Sequence, residues 1–128
     1  MEPASKPYDI RERVFVFACN VIRAYPRVHL DSASHKVWAQ LIAASTSSGA
    51  HLEEGAAGGS RAQFLALNRG ALREMRESNY WLRVLIATEL QNFHHVTPLL
   101  IESRELVAIL STIVRRTYEN GKKTKRKE

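Results

Sequence analysis

The sequence predicts an all-α protein folded as an antiparallel up-down-up-down four-helix bundle. Apolar residues recur at steps of three and four in four segments, and proline- or glycine-rich stretches separate these segments. No stretch alternates apolar and polar residues as a half-buried strand would. A chain of 128 residues accommodates one such domain. We assign residues 1–8 to a flexible N-terminus, residues 9–120 to the bundle and residues 121–128 to a basic flexible tail.

Helix 1 is predicted to begin after Asp9, whose side chain is a typical N-cap, and to run to about Tyr25, where Pro26 stops it. Cys19 has no second cysteine with which to form an internal disulfide, so we expect a small core residue in a reducing compartment. The apolar side chains that share one helical face are Ile10, Val14, Phe17, Ala18, Val21, Ile22 and Tyr25.

Helix 2 is predicted from about His35, after Ser34, and contains a run of small side chains at residues 43–50. Alanine, serine, threonine and glycine together give such a run low helix propensity, so packing must stabilise it. Small side chains let two backbones approach closely, and we expect this run to lie tightly against a neighbouring helix. A phosphate-binding loop is the alternative, but that loop needs a preceding strand, which the sequence does not predict.

Helix 3 is predicted to follow the glycine-rich turn Gly55–Gly59, with Ser60 as its N-cap, and to extend to about Glu89. Residues 91–96 form the next turn. Helix 4 is predicted to start at Pro98, with Thr97 as its N-cap. It should run to about Glu119, where Asn120-Gly121 ends it.

The apolar residues of helix 4 are too many for one narrow stripe. They are Leu99, Leu100, Ile101, Leu106, Val107, Ile109, Leu110, Ile113 and Val114. A face this wide indicates contacts both inside the bundle and with another subunit.

The net charge of +6 is concentrated in two places. Four arginines of helix 3 recur at steps of three, four and seven and so share a face: Arg69, Arg73, Arg76 and Arg83. Glu77 lies one turn from Arg73 and is expected to neutralise part of this row. The second group is C-terminal: Arg115, Arg116, Lys122, Lys123, Lys125, Arg126 and Lys127. Both groups predict attraction to phosphate backbones, with an ordinary solvated surface as the alternative.

Two aromatic residues, Tyr80 and Trp81, lie within the same segment of helix 3. Aromatic rings beside arginines can stack on nucleic-acid bases. Aromatic residues at this spacing are more often part of a core or an interface.

The sequence offers no arrangement typical of catalysis, a cofactor or a metal. A di-metal carboxylate site needs Glu-x-x-His pairs on facing helices. His51 and Glu54 stand in the reverse order, although Glu74 could face these two residues. The remaining candidates, residues 94–95, fall in a predicted turn. The serines of helix 2 have no base near them in sequence. We therefore expect no enzymatic activity, no catalytic residue, no cofactor and no bound metal.

Segments of helices 2 and 3 carry a resemblance to a known family. The matching positions are Gln40-Leu41, Ser47, Ala50, Leu52, Glu54 and Gly55, then Arg69, Gly70, Leu72 and Glu74, with Tyr80-Trp81-Leu82 and Glu105-Leu106. In these positions, over about residues 8–118, the chain resembles the four-helix-bundle 23S rRNA intervening-sequence protein family. The diversity-generating retroelement accessory variability proteins are related to that family. This chain has Gly49, His51 and Ala71 where the family has proline, asparagine and serine.

The resemblance implies a cytoplasmic bacterial bundle that assembles as a homopentamer. In the retroelement relatives such an assembly binds nucleic acid through a basic surface and partners a reverse transcriptase. We therefore expect a homo-oligomer that binds RNA or DNA, as an accessory to a reverse transcriptase or an RNA-containing complex. The alternative is a scaffold that recruits a protein through helix 4. No apolar signal region and no membrane-length apolar run occurs in the sequence, so we expect a cytoplasmic protein without a membrane partner.

Overall fold

Four helices form a closed bundle in the computed structural model, which describes residues 9–88 and 96–127. Their bounds are Ile10–Ala24 for α1, Ser32–Ala56 for α2, Arg61–Thr88 for α3 and Thr97–Lys127 for α4. Each helix packs on the next one in the chain, and α1 packs on α4. Because neighbours in sequence are neighbours in space, the predicted up-down-up-down fold class is confirmed. The predicted flexible segment 1–8 and residues 91–95 of the predicted turn 91–96 lie outside the described residues.

The core of the bundle takes side chains from every helix. Its fully buried members include Val14, Phe17, Val21, Trp38, Leu41, Met75, Leu82, Leu85, Leu106 and Leu110. Burial of this apolar surface, at about 25 cal/mol per Å², is the main term that stabilises the fold. Within the described ranges, no helix has the length and apolar character needed to cross a membrane.

Side-chain caps fix where three of the helices begin. The Asp9 carboxylate accepts a hydrogen bond from the backbone N–H of Arg11 at 2.9 Å, as the sequence predicts. Ser60 and Gln63 form a reciprocal capping box at the start of α3, with N–H···O distances of 3.0 and 3.1 Å. The predicted caps of α1 and α3 are therefore confirmed.

The start of α2 differs from the prediction by three residues. Asp31 is the N-cap, because its carboxylate accepts a hydrogen bond from the backbone N–H of Ser34 at 2.8 Å. This hydrogen bond to the ionised form lowers the pKa of Asp31 below its usual value. Ser34 is consequently inside the helix and buried, rather than preceding it.

The run of small residues in α2 lies tightly against its neighbours, as predicted. The Ser48 hydroxyl donates to the Ala71 carbonyl of α3 across 2.8 Å in a fully buried position. A Cβ added at Gly49 would lie 3.6 Å from Val14 of α1, and one at Gly70 would lie 3.3 Å from the His51 ring. A side chain at Gly70 would therefore press on the His51 ring, whereas a methyl group at Gly49 would make ordinary van der Waals contact with Val14. Packing and the buried Ser48 hydrogen bond support a segment of low helix propensity.

Helix α1 is joined to α4 by a partly buried ion pair. Arg13 binds Glu102 in a bidentate arrangement, with N···O distances of 2.6 and 3.3 Å. Glu105 also lies 3.6 Å from the same guanidinium. These contacts close the bundle on the side opposite the α2–α3 interface.

Two predictions about helix ends need correction. Helix α4 does not stop at Asn120 and Gly121; it continues to Lys127, and the Thr124 hydroxyl bonds the Asn120 carbonyl within it. Gly121 does not adopt the positive φ of a helix-ending glycine, and it lies beside the start of α3, where it lines one groove with Arg61 and Leu65. Helix α4 also begins at Thr97, with the Leu100 N–H bonded to the Val96 carbonyl, one residue before the predicted start.

Candidate nucleic-acid interface

The four arginines of α3 lie on one exposed face. Arg69, Arg73, Arg76 and Arg83 are all exposed, and none forms an ion pair with another described residue. Glu77 does not pair with Arg73 as expected, since its Oε1 accepts a hydrogen bond from the Trp81 indole N–H at 3.2 Å. With respect to residues 9–88 and 96–127, the four guanidinium groups, which we call the arginine row, are therefore available to an external anion.

Helix α4 adds cations to the same side of the bundle. The Arg69 guanidinium lies 5.5 Å from the centre of the Tyr118 ring, and the Lys122 ammonium lies 5.0 Å from it. Cation–π attraction at these distances holds both charges beside one aromatic ring. Arg115 is exposed and precedes Tyr118 by three residues, so it belongs to the same line along α4.

A second contact between α3 and α4 lies near the middle of the arginine row. Asn79 donates a hydrogen bond to the Ser103 hydroxyl at 2.9 Å, and this hydroxyl donates to the Leu100 carbonyl at 2.8 Å. Beside this link, Arg76 of α3 and Arg104 of α4 line one groove of about 180 Å³. Two positive charges from different helices thus border a space large enough for a phosphate oxygen or the edge of a base.

Arg104 was not among the residues that the sequence predicted for this role. It stands between Glu102 and Glu105 in the chain, which masks it as part of a mixed-charge helix face. Those two carboxylates turn to Arg13 on the other side of α4, whereas Arg104 borders Arg76. Only the packing of α4 on α3 reveals this difference.

We define the basic surface as seven exposed cations of α3 and α4: Arg69, Arg73, Arg76, Arg83, Arg104, Arg115 and Lys122. Arg116 and Lys123, which the sequence also predicted, are exposed as well. Each follows a member of the basic surface by one residue, so its side chain projects about 100° further around α4. Arg126 is exposed as well. The side chains of Lys125 and Lys127 lie outside the described part of the structure.

The residues of the family resemblance divide into buried and exposed positions. Gly55 and Gly70 are buried, and a Cβ at Gly55 would lie 3.4 Å from the Leu67 Cβ. Gln40 and Glu54 are exposed, whereas Ser47 and Glu74 are half-buried. The two glycines therefore serve close packing of α2 on α3.

Of the residues considered for a metal site, those that the structure describes do not assemble into one; residues 94–95 lie outside the described ranges. Among the described residues, no group of three or more histidine, cysteine, aspartate or glutamate side chains could hold a metal ion. His51 packs instead on Gly70, and Glu54 is exposed near the end of α2.

An exposed apolar stripe that was not predicted from the sequence runs along α1. Phe15, Val16 and Ile22 are exposed, and the free thiol Cys19 is half-buried between them. Cys19, expected as a small core residue, is thus only half-buried, and Ile22, placed on the apolar face of helix 1, is exposed. The six consecutive apolar residues 14–19 were the available signal, because residues at 100° steps cannot all face one core.

The wide apolar face of α4 is used mainly inside the bundle. Leu99, Leu106 and Leu110 are buried, while Leu100, Val107 and Val114 pack against the core from its edge. Two large side chains of α4, Ile101 and Tyr118, are exposed. On α1, by contrast, three large apolar side chains of the stripe are exposed.

Comparisons with known proteins support the fold. No protein-family model matches the chain, and no curated protein matches it. Among solved structures, the chain resembles a protein of unknown function from the S23 ribosomal protein family of Bacteroides thetaiotaomicron VPI-5482. The match has a TM-score of 0.69 and 24% sequence identity, and it covers 83% of this chain and 98% of that one. At this identity the likeness establishes a shared four-helix fold.

Proposed function

We propose that this protein is a non-enzymatic, self-associating helical bundle that binds nucleic acid electrostatically through its basic surface. The observation that carries the proposal is the arginine row, four exposed guanidinium groups without an ion pair among the described residues. Cations left without a carboxylate partner are available to the phosphates of a nucleic-acid backbone. The S23 ribosomal family of the structural neighbour agrees with the resemblance to the 23S rRNA intervening-sequence family.

The dimensions of the basic surface suit an extended polyanion. Arg69 and Arg83 are fourteen residues apart on one helix, which corresponds to about 21 Å along its axis. A guanidinium presents a planar fork of donors that binds phosphate oxygens in a bidentate manner. The second line of cations on α4 broadens the surface, so that a strand can follow either helix.

The test replaces Arg69, Arg73 and Arg76 together with glutamine and measures binding of labelled single-stranded and duplex nucleic acids by fluorescence anisotropy. By counterion release, each lost phosphate contact weakens binding by a factor of about 5 near 0.15 M salt. We therefore expect the triple variant to bind about 100-fold more weakly than the wild type.

A matched control removes the same charge elsewhere. Arg23, Arg27 and Lys36 are exposed on α1, on the following loop and on α2, away from the basic surface. Their combined replacement with glutamine should change affinity far less than the first triple variant does. Equal losses in both triple variants would mean that only net charge matters, and this result would contradict a defined surface.

Self-association is the second part of the proposal, and the apolar stripe of α1 supports it. Three exposed large side chains on one helix, with Cys19 between them, form an apolar patch of the kind found at subunit interfaces. The resemblance implies a homopentamer. We expect light scattering to give about five times the monomer mass for the wild type.

Phe15→Glu should lower that mass by placing a charge in the proposed interface. Val28→Glu is the control, because Val28 is an exposed apolar residue outside the stripe. A monomeric wild type, or equal effects of the two variants, would contradict the proposed interface. A pentamer that binds neither nucleic acid would instead favour a protein-assembly scaffold, the alternative function.

A further inference from the structure

Tyr80 stands in line with the arginine row. It follows Arg76 by four residues and precedes Arg83 by three, so its side chain projects from the same face of α3. The side chain is 53% exposed. A half-exposed aromatic ring thus lies between two arginines that form no ion pair with another described residue.

The neighbouring indole holds the Tyr80 ring in place. The centres of the Tyr80 and Trp81 rings are 5.1 Å apart, and their planes meet at 72°. Trp81 is itself anchored by the hydrogen bond from its indole N–H to Glu77. This edge-to-face contact orients the tyrosine ring without the two rings stacking face to face, so part of the tyrosine remains open to solvent.

The groove formed by Arg76 and Arg104 lies one turn from Tyr80. Asn79, the residue before Tyr80, lines this groove and is held by its bond to Ser103. A cation pair able to bind a backbone phosphate is therefore adjacent to an aromatic platform. This combination is typical of surfaces that bind unpaired strands, in which phosphates contact arginines and bases stack on rings.

We propose that the basic surface binds single-stranded nucleic acid, with a base stacked on Tyr80 while Arg76, Arg83 and Arg104 contact the flanking phosphates. This inference rests on the proposed nucleic-acid function and specifies its ligand. A duplex offers its phosphates to the arginines but keeps its bases paired and inside, so it gains nothing from Tyr80. Either RNA or DNA satisfies the stacking chemistry, since every base has a π-face.

The experiment uses the full chain and three substitutions at one position. Tyr80→Leu keeps an apolar side chain against Trp81 but removes the aromatic face, Tyr80→Phe keeps the ring, and Tyr80→Ala removes both. The probes are labelled oligothymidylate and oligouridylate of about 16 nucleotides and a mixed-sequence duplex of about 16 base pairs. Thermal unfolding midpoints of the three variants verify that each one is folded.

We expect Tyr80→Leu and Tyr80→Ala to weaken binding of the single strands by about tenfold or more. Binding of the duplex should stay unchanged, and Tyr80→Phe should bind all three probes like the wild type. Comparison of the thymidylate and uridylate probes separates DNA from RNA as the preferred strand.

Two results would overturn the stacking proposal. One is unaltered single-strand binding by Tyr80→Leu, and the other is an equal loss for strand and duplex. If in either case the wild type still binds and the triple arginine variant does not, the electrostatic function stands while the stacking role fails. A wild type that binds none of the probes refutes both proposals.

Discussion

The ion pair between Arg13 and Glu102 should contribute measurably to the stability of the bundle. The two side chains are only 10% and 25% exposed, and their shortest N···O distance is 2.6 Å. Exposed ion pairs contribute about 0.2–1 kcal/mol, whereas breaking a fully buried pair costs about 3–5 kcal/mol. Because Arg13 also lies 3.6 Å from Glu105, loss of Glu102 does not leave its charge isolated. We therefore expect a coupling free energy of about 1–2 kcal/mol.

A double-mutant cycle measures this coupling. Arg13→Met, Glu102→Gln and the double variant are unfolded in urea at one fixed protein concentration, so that self-association does not shift the comparison. The pair Arg11 and Glu53 is the control, since it also connects α1 to another helix. Its distance is 3.9 Å and its side chains are 44% and 64% exposed, so its coupling should stay below about 0.5 kcal/mol. Equal coupling free energies for the two pairs would refute the argument from burial.

Three further predictions concern backbone, caps and close packing. Gly59→Ala should destabilise the fold by about 1 kcal/mol more than Gly58→Ala does. Both glycines have φ of 118°, but only a Cβ at Gly59 would collide with the capping side chain Gln63. Calorimetry of the two variants at neutral pH measures this difference. The Asp31 pKa is lowered by its bond to the Ser34 N–H, so its contribution is complete above the unfolded pKa and is lost as pH falls below about 4. Asp31→Asn should keep the cap and reduce the acid-induced fall in melting temperature, and an unchanged fall would contradict the assignment. Ser48→Ala should cost about 1 kcal/mol in urea unfolding through loss of its buried hydrogen bond to α3, whereas no cost would contradict the role of that bond.

The fold could be predicted because its determinants are local. Apolar spacing identified four helices, and the side chains of Asp9 and Ser60 act within three residues of their own positions. Pro26 follows Tyr25, the C-cap of α1, as expected from its effect on the preceding backbone. The close approach of α2 and α3 could also be predicted, because small residues at 43–50 have few other uses in a helix.

The errors arise where tertiary contacts override local signals. Asn120 and Gly121 are common at helix ends, yet α4 continues through them where it runs beside the start of α3. Asp31 and Ser34 are both good N-caps, and the sequence alone did not show that Ser34 is buried within α2.

The basic surface could be predicted only in part, since it is formed by two helices. The arginine row follows from the periodicity of α3 alone. Arg104 required knowledge of how α4 is rotated against α3, which local spacing does not contain. The same limitation applied to Tyr80, whose exposure distinguishes it from the half-buried Trp81 next to it.

The dependence of binding on salt tests the central claim most directly. The measurement is the slope of log K against log salt concentration for the wild type and for the variant in which Arg69, Arg73 and Arg76 are glutamine. Each phosphate contact contributes about 0.7 to 0.9 to this slope, so the variant should have a slope smaller by about 2 to 3. Identical slopes for the two proteins, or wild-type binding that does not change with salt, would contradict the account.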